Sequence, residues 1–112
     1  MPKKLYNKLV RDRMPEIMRS QGEEPVVRVL TEDEFKQKIR LKLLADAGEA
    51  RVAKTREELV KELADVLEIV DAIADVESVP LDEIQLVKTQ RRTERGGFER
   101  RVYLVSSEIT EK

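Results

Sequence analysis

Along most of the chain the apolar residues recur at the spacing of one helix face, and this period predicts four helices. Residues 14–21 read as a short one, with Pro15 suited to a first turn and Gly22 to a left-handed stop. Thr31 and Glu34 have the spacing of a capping box and open a helix over residues 32–54. Thr55 and Glu58 repeat the signature and open a second long helix that reaches residue 77. The link between them is so short that the two must fold back as an antiparallel hairpin, with Ala47, Ala50 and Ala53 on the inward side. Pro80 starts a further helix that carries Leu81, Ile84 and Val87 inward, passes the basic Arg91-Arg92 and breaks at Gly96-Gly97. Two segments lack helical period. Residues 26–30 are β-branched and read as a strand, residues 98–105 are extended in character, and their pairing into a small two-stranded sheet is open. The expected fold is mainly α: a helical hairpin or bundle with an additional helix and a short N-terminal one, in a single domain over residues 1–112.

Four acids interrupt this pattern. Asp46 with Glu49, and Glu62 with Asp65, stand three residues apart on the two long helices. At about 100° per residue, with Asp46 at zero, Ile39 lies at about 20°, Ala50 at about 40° and Leu43 at about 60°. Setting Glu62 at zero places Ile73 at about 20°, Val66 at about 40° and Ile69 at about 340°. The first acid of each pair is therefore inside an apolar stripe, and the second lies at its edge. A carboxylate there is costly unless a cation meets it. Antiparallel packing brings the four toward one another, and an all-oxygen donor set suits Mg²⁺ or Mn²⁺. The competing arrangement is an ion pair with Lys42 or with an arginine of the N-terminal segment. Glu68 and Asp71 continue the three-residue ladder, but each step turns about 60° backward, toward solvent.

Composition narrows the chemistry. The 22 basic and 23 acidic side chains nearly cancel, which removes the bulk electrostatic reason to expect duplex nucleic acid or an anionic membrane as partner. Without cysteine or histidine, thiol and imidazole chemistry are excluded, leaving carboxylates, Lys, Arg and metal. No apolar run is long enough for a signal peptide or a membrane span, so a cytoplasmic location is expected. A chain of 112 residues builds only a modest core, and homo-oligomerisation, as dimer or tetramer, is expected to cover more apolar surface.

The opening YNKLVRDRMPEIM, the paired elements DAGE and ELADVLEIVDAI, and the closing RGGFERRVYL resemble the all-α nucleoside triphosphate pyrophosphohydrolases of the MazG and phosphoribosyl-ATP pyrophosphohydrolase group, in particular its small house-cleaning branch. The likeness runs over residues 5–104. That family's pattern is Glu-x-x-Glu on one helix and Glu-x-x-Asp on the next, binding the Mg²⁺ that carries the triphosphate. Glu49, Glu62 and Asp65 match it; Asp46 stands where Glu is usual, and Ala45 where a further acid is often found. Being one methylene shorter, Asp46 must draw a metal toward its helix or act through a water.

The resemblance implies hydrolysis of a nucleoside triphosphate between the α and β phosphates to monophosphate and pyrophosphate. It implies metal binding by Asp46, Glu49, Glu62 and Asp65, with Glu49 or Glu62 taking the proton of the attacking water. Lys8 and Arg11 are then candidates for gripping phosphate oxygens, with Asp12 orienting Arg11. Arg95, with Arg91 and Arg92 ahead of Gly96-Gly97, forms a second basic group suited to phosphate, although a solvated helix end has the same composition. Packing is the expected job of Tyr6, and a core or subunit contact that of Phe98.

Overall fold

The computed structural model describes residues 3–110 and contains α1 (Met14–Ser20), α2 (Glu32–Val52), α3 (Arg56–Val76) and α4 (Leu81–Arg95). The chain divides into two compact units, Met1–Val79 and Pro80–Lys112. The first holds α1 and the α2–α3 hairpin.

Local chemistry sets the helix ends. At the start of α2 both halves of the capping box form: the Thr31 hydroxyl accepts from the Glu34 amide at 3.2 Å and the Glu34 carboxylate accepts from the Thr31 amide at 3.2 Å. At α3 only the first half repeats. The Thr55 hydroxyl accepts from the Glu58 amide at 3.1 Å, while the Glu58 carboxylate takes the amide of Lys54, one residue earlier, also at 3.1 Å. α3 stops where Ser78 turns left-handed with φ +57°, and the Val79 amide donates to the Ala74 carbonyl at 2.8 Å. Gly22 (φ +85°) lies just beyond the end of α1 and Gly96 (φ +83°) ends α4, conformations open to glycine at no Cβ cost.

The two long helices pack against each other, with Ile39 of α2 and Ile69 and Ala74 of α3 buried. Their antiparallel sense is visible in Glu77, just past the end of α3, which meets Arg40 at 2.7 Å and Lys36 at 3.5 Å near the start of α2.

Four expectations are corrected. Residues 26–30 are not a strand, and no strand occurs among the described residues. A β-branched run gains sheet structure only from a ladder partner, and Val29 is 96% exposed. The extended tail 98–105 likewise forms no ladder, and Phe98 there is exposed, which removes the core role of the two expected for it, core or subunit contact. Ala47 is exposed, whereas Ala50 and Ala53 are half-buried; one step of about 100° separates Ala47 from Asp46 and carries it off the stripe. Leu81, Ile84 and Val87 on α4 are exposed, because the described residues from 80 onward contain no second helix to cover their stripe.

Candidate functional site

The inward stripe of α2 includes Ile39, Leu43, Asp46 and Ala50, and that of α3 includes Glu62, Val66, Ile69 and Ile73. Asp46 keeps 15% of its side chain exposed, Glu62 17% and Asp65 25%. Three of the four acids thus occupy the partly desolvated setting that helical periodicity assigns them. Glu49 is exposed, as are Glu68 and Asp71.

Each half-buried acid has met a cation. The Lys42 ammonium lies 3.9 Å from Asp46, one turn away on the same helix. Lys61 reaches Glu62 at 3.2 Å and Asp65 at 3.4 Å, so a single cation spans both acids of the second pair. The Arg11 guanidinium donates to Asp65 at 2.7 Å and ties the N-terminal segment to α3. Burial acts most strongly on the Asp65 carboxyl and pushes its pKa up; hydrogen bonds from Arg11 and Lys61, with their charges, outweigh it and hold the group below its ordinary value. The same bonds, first to Glu62 and then to Asp65, raise the pKa of Lys61.

The expected convergence of four carboxylates does not form. Among the described residues no three acidic side chains come together closely enough to hold a metal ion. Glu49 projects outward at the edge of the stripe, and Asp65 is drawn to Arg11. Asp46 and Asp65 adopt the ion-pair alternative expected from the sequence, with Lys42 and an N-terminal arginine as partners, while Glu62 pairs with Lys61. Against a hard divalent cation the second pair fits, since all its donors are oxygens and one positive centre already touches both; the first pair does not join it in this arrangement.

The basic candidates each have their own surroundings. Arg11 is bound to Asp65, and no hydrogen bond joins it to Asp12. The Lys8 ammonium stands 5.5 Å from the centroid of the Tyr6 ring, with Lys4 at 5.0 Å, so Tyr6 serves as a surface for cations. In the second unit Arg95 lines a cavity of about 510 Å³ with Arg92, Gly96, Gly97, Glu99, Arg100 and Val102. A Cβ on Gly97 collides with the Arg92 and Glu99 side chains, which pair across it. Sequence reasoning missed Lys61. Its signal is the acid four residues onward, since a lysine one turn from Asp65 on a helix is within reach of it.

No family model matches this chain, and no solved structure matches it significantly. A protein of Mycolicibacterium smegmatis described as uncharacterized is 45% identical over 49 residues, which is 44% of this chain and 50% of that protein. The match spans half the length of this relative. No helix among the described residues is long and apolar enough to cross a membrane.

Proposed function

We propose that this chain is a divalent-metal-dependent nucleoside triphosphate pyrophosphohydrolase that clears non-standard nucleotides by cleaving between the α and β phosphates. The observation that carries the reading is the Glu62 and Asp65 pair: both acids are half-buried, both are in contact with one cation, and the arginine of the KLVRD segment lies on the second. A half-buried pair of carboxylates gathered on one cation is a candidate site for a charged ligand.

In this reading Glu62 and Asp65 would hold Mg²⁺ or Mn²⁺, with Asp46 and Glu49 as the further oxygen donors. A bound divalent ion supplies charge neutralisation of the phosphate chain and a lowered pKa for a coordinated water. Glu49 or Glu62 accepts the proton of the attacking water. Arg11 exchanges Asp65 for phosphate oxygens, to which its fork is equally suited, and Lys8 adds a second positive charge. Arg95 offers a phosphate contact at its own cavity in the second unit.

A second reading is favoured by one observation. Glu49 is exposed and Asp46 is held by Lys42, so the first pair is not poised for metal. A relative weakened in this way binds nucleotide without turnover and acts as a regulatory module.

Pyrophosphate release from a panel of standard and modified triphosphates, with Mg²⁺ or Mn²⁺ and with EDTA, separates the two. Hydrolysis requires release that stops with EDTA and falls at least 100-fold, to order of magnitude, in Glu62→Gln. Calorimetric binding of nucleotide with no pyrophosphate selects the regulatory module. Neither binding nor release removes both.

A further inference from the structure

The end of α4 and the segment after it gather positive charge that the near-neutral total conceals. Residues 88–103 hold six basic and two acidic side chains, although the full sequence carries a formal net charge of −1. The helix sorts these charges by face. With Arg92 at zero, Lys88 lies at about 320°, Arg95 at about 300° and Arg91 at about 260°, while Glu83 and Glu94 lie opposite at about 180° and 200°. Four exposed cations thus share an arc of about 100° and a length of about 10 Å along the helix axis.

Little in the second unit neutralises them. Among the described residues Arg92 is paired with Glu99, and no ion pair engages Lys88, Arg91, Arg95, Arg100 or Arg101. Glu99 is also the one acid lining the cavity at the end of α4, so Arg95 and Arg100 on its wall keep their charge. The negative end of the helix dipole accounts for Arg92 and Arg95 in the last turn, but not for Lys88 before it or for Arg100 and Arg101 beyond it.

Aromatic faces stand beside this charge. The Arg101 amide donates to the Phe98 carbonyl at 3.1 Å and closes a turn whose first residue, Phe98, is 95% exposed. Tyr103, two residues past the turn, is 88% exposed. A flat ring among guanidinium groups suits an unpaired base, which offers a π-face beside a phosphate.

We propose that this surface, α4 from Lys88 onward together with residues 96–103, binds single-stranded nucleic acid, with the cations following its phosphates and Phe98 and Tyr103 stacking on its bases. Five arginines against one lysine agree with this, since a guanidinium both grips phosphate bidentately and stacks on a base. Duplex is the poorer fit, because its bases are stacked on one another and offer no face to either ring. An anionic membrane is poorer too. Residues 96–105 form neither helix nor ladder, so their backbone groups would enter a bilayer unsatisfied, whereas a bound strand leaves them in water.

The proposal goes beyond catalysis and is tested on the full chain in EDTA, so that the absence of metal or turnover leaves the measurement unaffected. The readout is fluorescence anisotropy of a labelled, mixed-sequence DNA strand of about 16 nucleotides. The expected result is binding that weakens with salt and that prefers the single strand to the same sequence as duplex. Lys88→Gln with Arg91→Gln, and separately Arg100→Gln with Arg101→Gln, each reduce the slope of log affinity on log salt by about 1.4, at about 0.7 per cation. Phe98→Ala weakens binding roughly 5-fold or more and leaves the slope unchanged. Glu99→Gln frees Arg92, tightens binding and steepens the slope. All these side chains are exposed, so helicity by circular dichroism is retained in every variant, and Arg95, the phosphate contact of the proposed function, is left untouched. No binding at low salt overturns the proposal, as does tighter binding of duplex or of inorganic polyphosphate. So do a slope that both double variants leave unchanged, a Phe98→Ala variant that binds as the wild type does, or uptake onto vesicles containing phosphatidylserine without binding of the strand.

Discussion

Arg11 and Asp65 meet at 2.7 Å across 54 positions of sequence, so the carboxylate that ends the second acid pair is held by the arginine of the N-terminal segment. A guanidinium on a carboxylate is a strong, directional contact, yet it also occupies an oxygen that a divalent ion would need in the proposed site. The same arginine thus anchors residues before α1 and competes for the acid.

Removing it separates these roles. Arg11→Ala moves the Asp65 carboxyl up toward its ordinary pKa, readable by side-chain NMR titration. Because the folded value is depressed, the pair's stabilisation is fully present above the ordinary carboxylate pKa and fades as pH falls through the lowered one. Arg11 is 56% exposed, so the loss of stability near neutral pH is at most about 1 kcal/mol. Divalent affinity rises in this variant while pyrophosphate release drops, and a parallel change in both contradicts the competing roles.

The start of α2 makes a second test. Thr31→Ala removes the side-chain acceptor for the Glu34 amide and costs about 1 kcal/mol in denaturant unfolding. Glu34, bound first by Arg28 and then by the Thr31 amide, is lowered to about 2. Its contribution is complete above about pH 4.5 and declines as the pH approaches 2. Glu34→Gln therefore lessens the difference in stability between pH 5 and pH 2; an unchanged acid limb argues against the clasp.

The hairpin core is small, so it is sensitive. Ile69→Ala deletes one of the three side chains buried among the described residues and costs about 2–4 kcal/mol, measured as a lower urea midpoint with the slope retained. The same change at Leu86, exposed on α4, shifts the midpoint little.

Helix ends were legible because the residues that end helices act locally. Thr31, Thr55, Pro80 and Gly96 each satisfy or remove backbone groups within one turn, and α2, α3 and α4 begin or stop beside them. The setting of Asp46 and Glu62 was legible for a related reason, since a helix of known period fixes which positions share a face. Partner choice was not. That Asp65 meets Arg11, and that Lys61 spans two acids, depends on long side chains and on where residues before α1 lie, neither of which leaves a periodic trace. The strand expected at residues 26–30 failed because β-propensity describes a fit to a neighbour and does not supply one. The exposure of Glu49 was not legible either: an acid at about 60° from the centre of a stripe can turn in or out, and here it is exposed.

The account rests on Glu62 and Asp65 as holders of a divalent ion, and Mn²⁺ binding followed by electron paramagnetic resonance addresses this without requiring turnover. The wild-type chain should take up Mn²⁺ in competition with Mg²⁺, and both Glu62→Gln and Asp65→Asn should abolish that uptake while leaving helicity unchanged. Uptake that survives both substitutions, or none in the wild-type chain with or without triphosphate, contradicts the account.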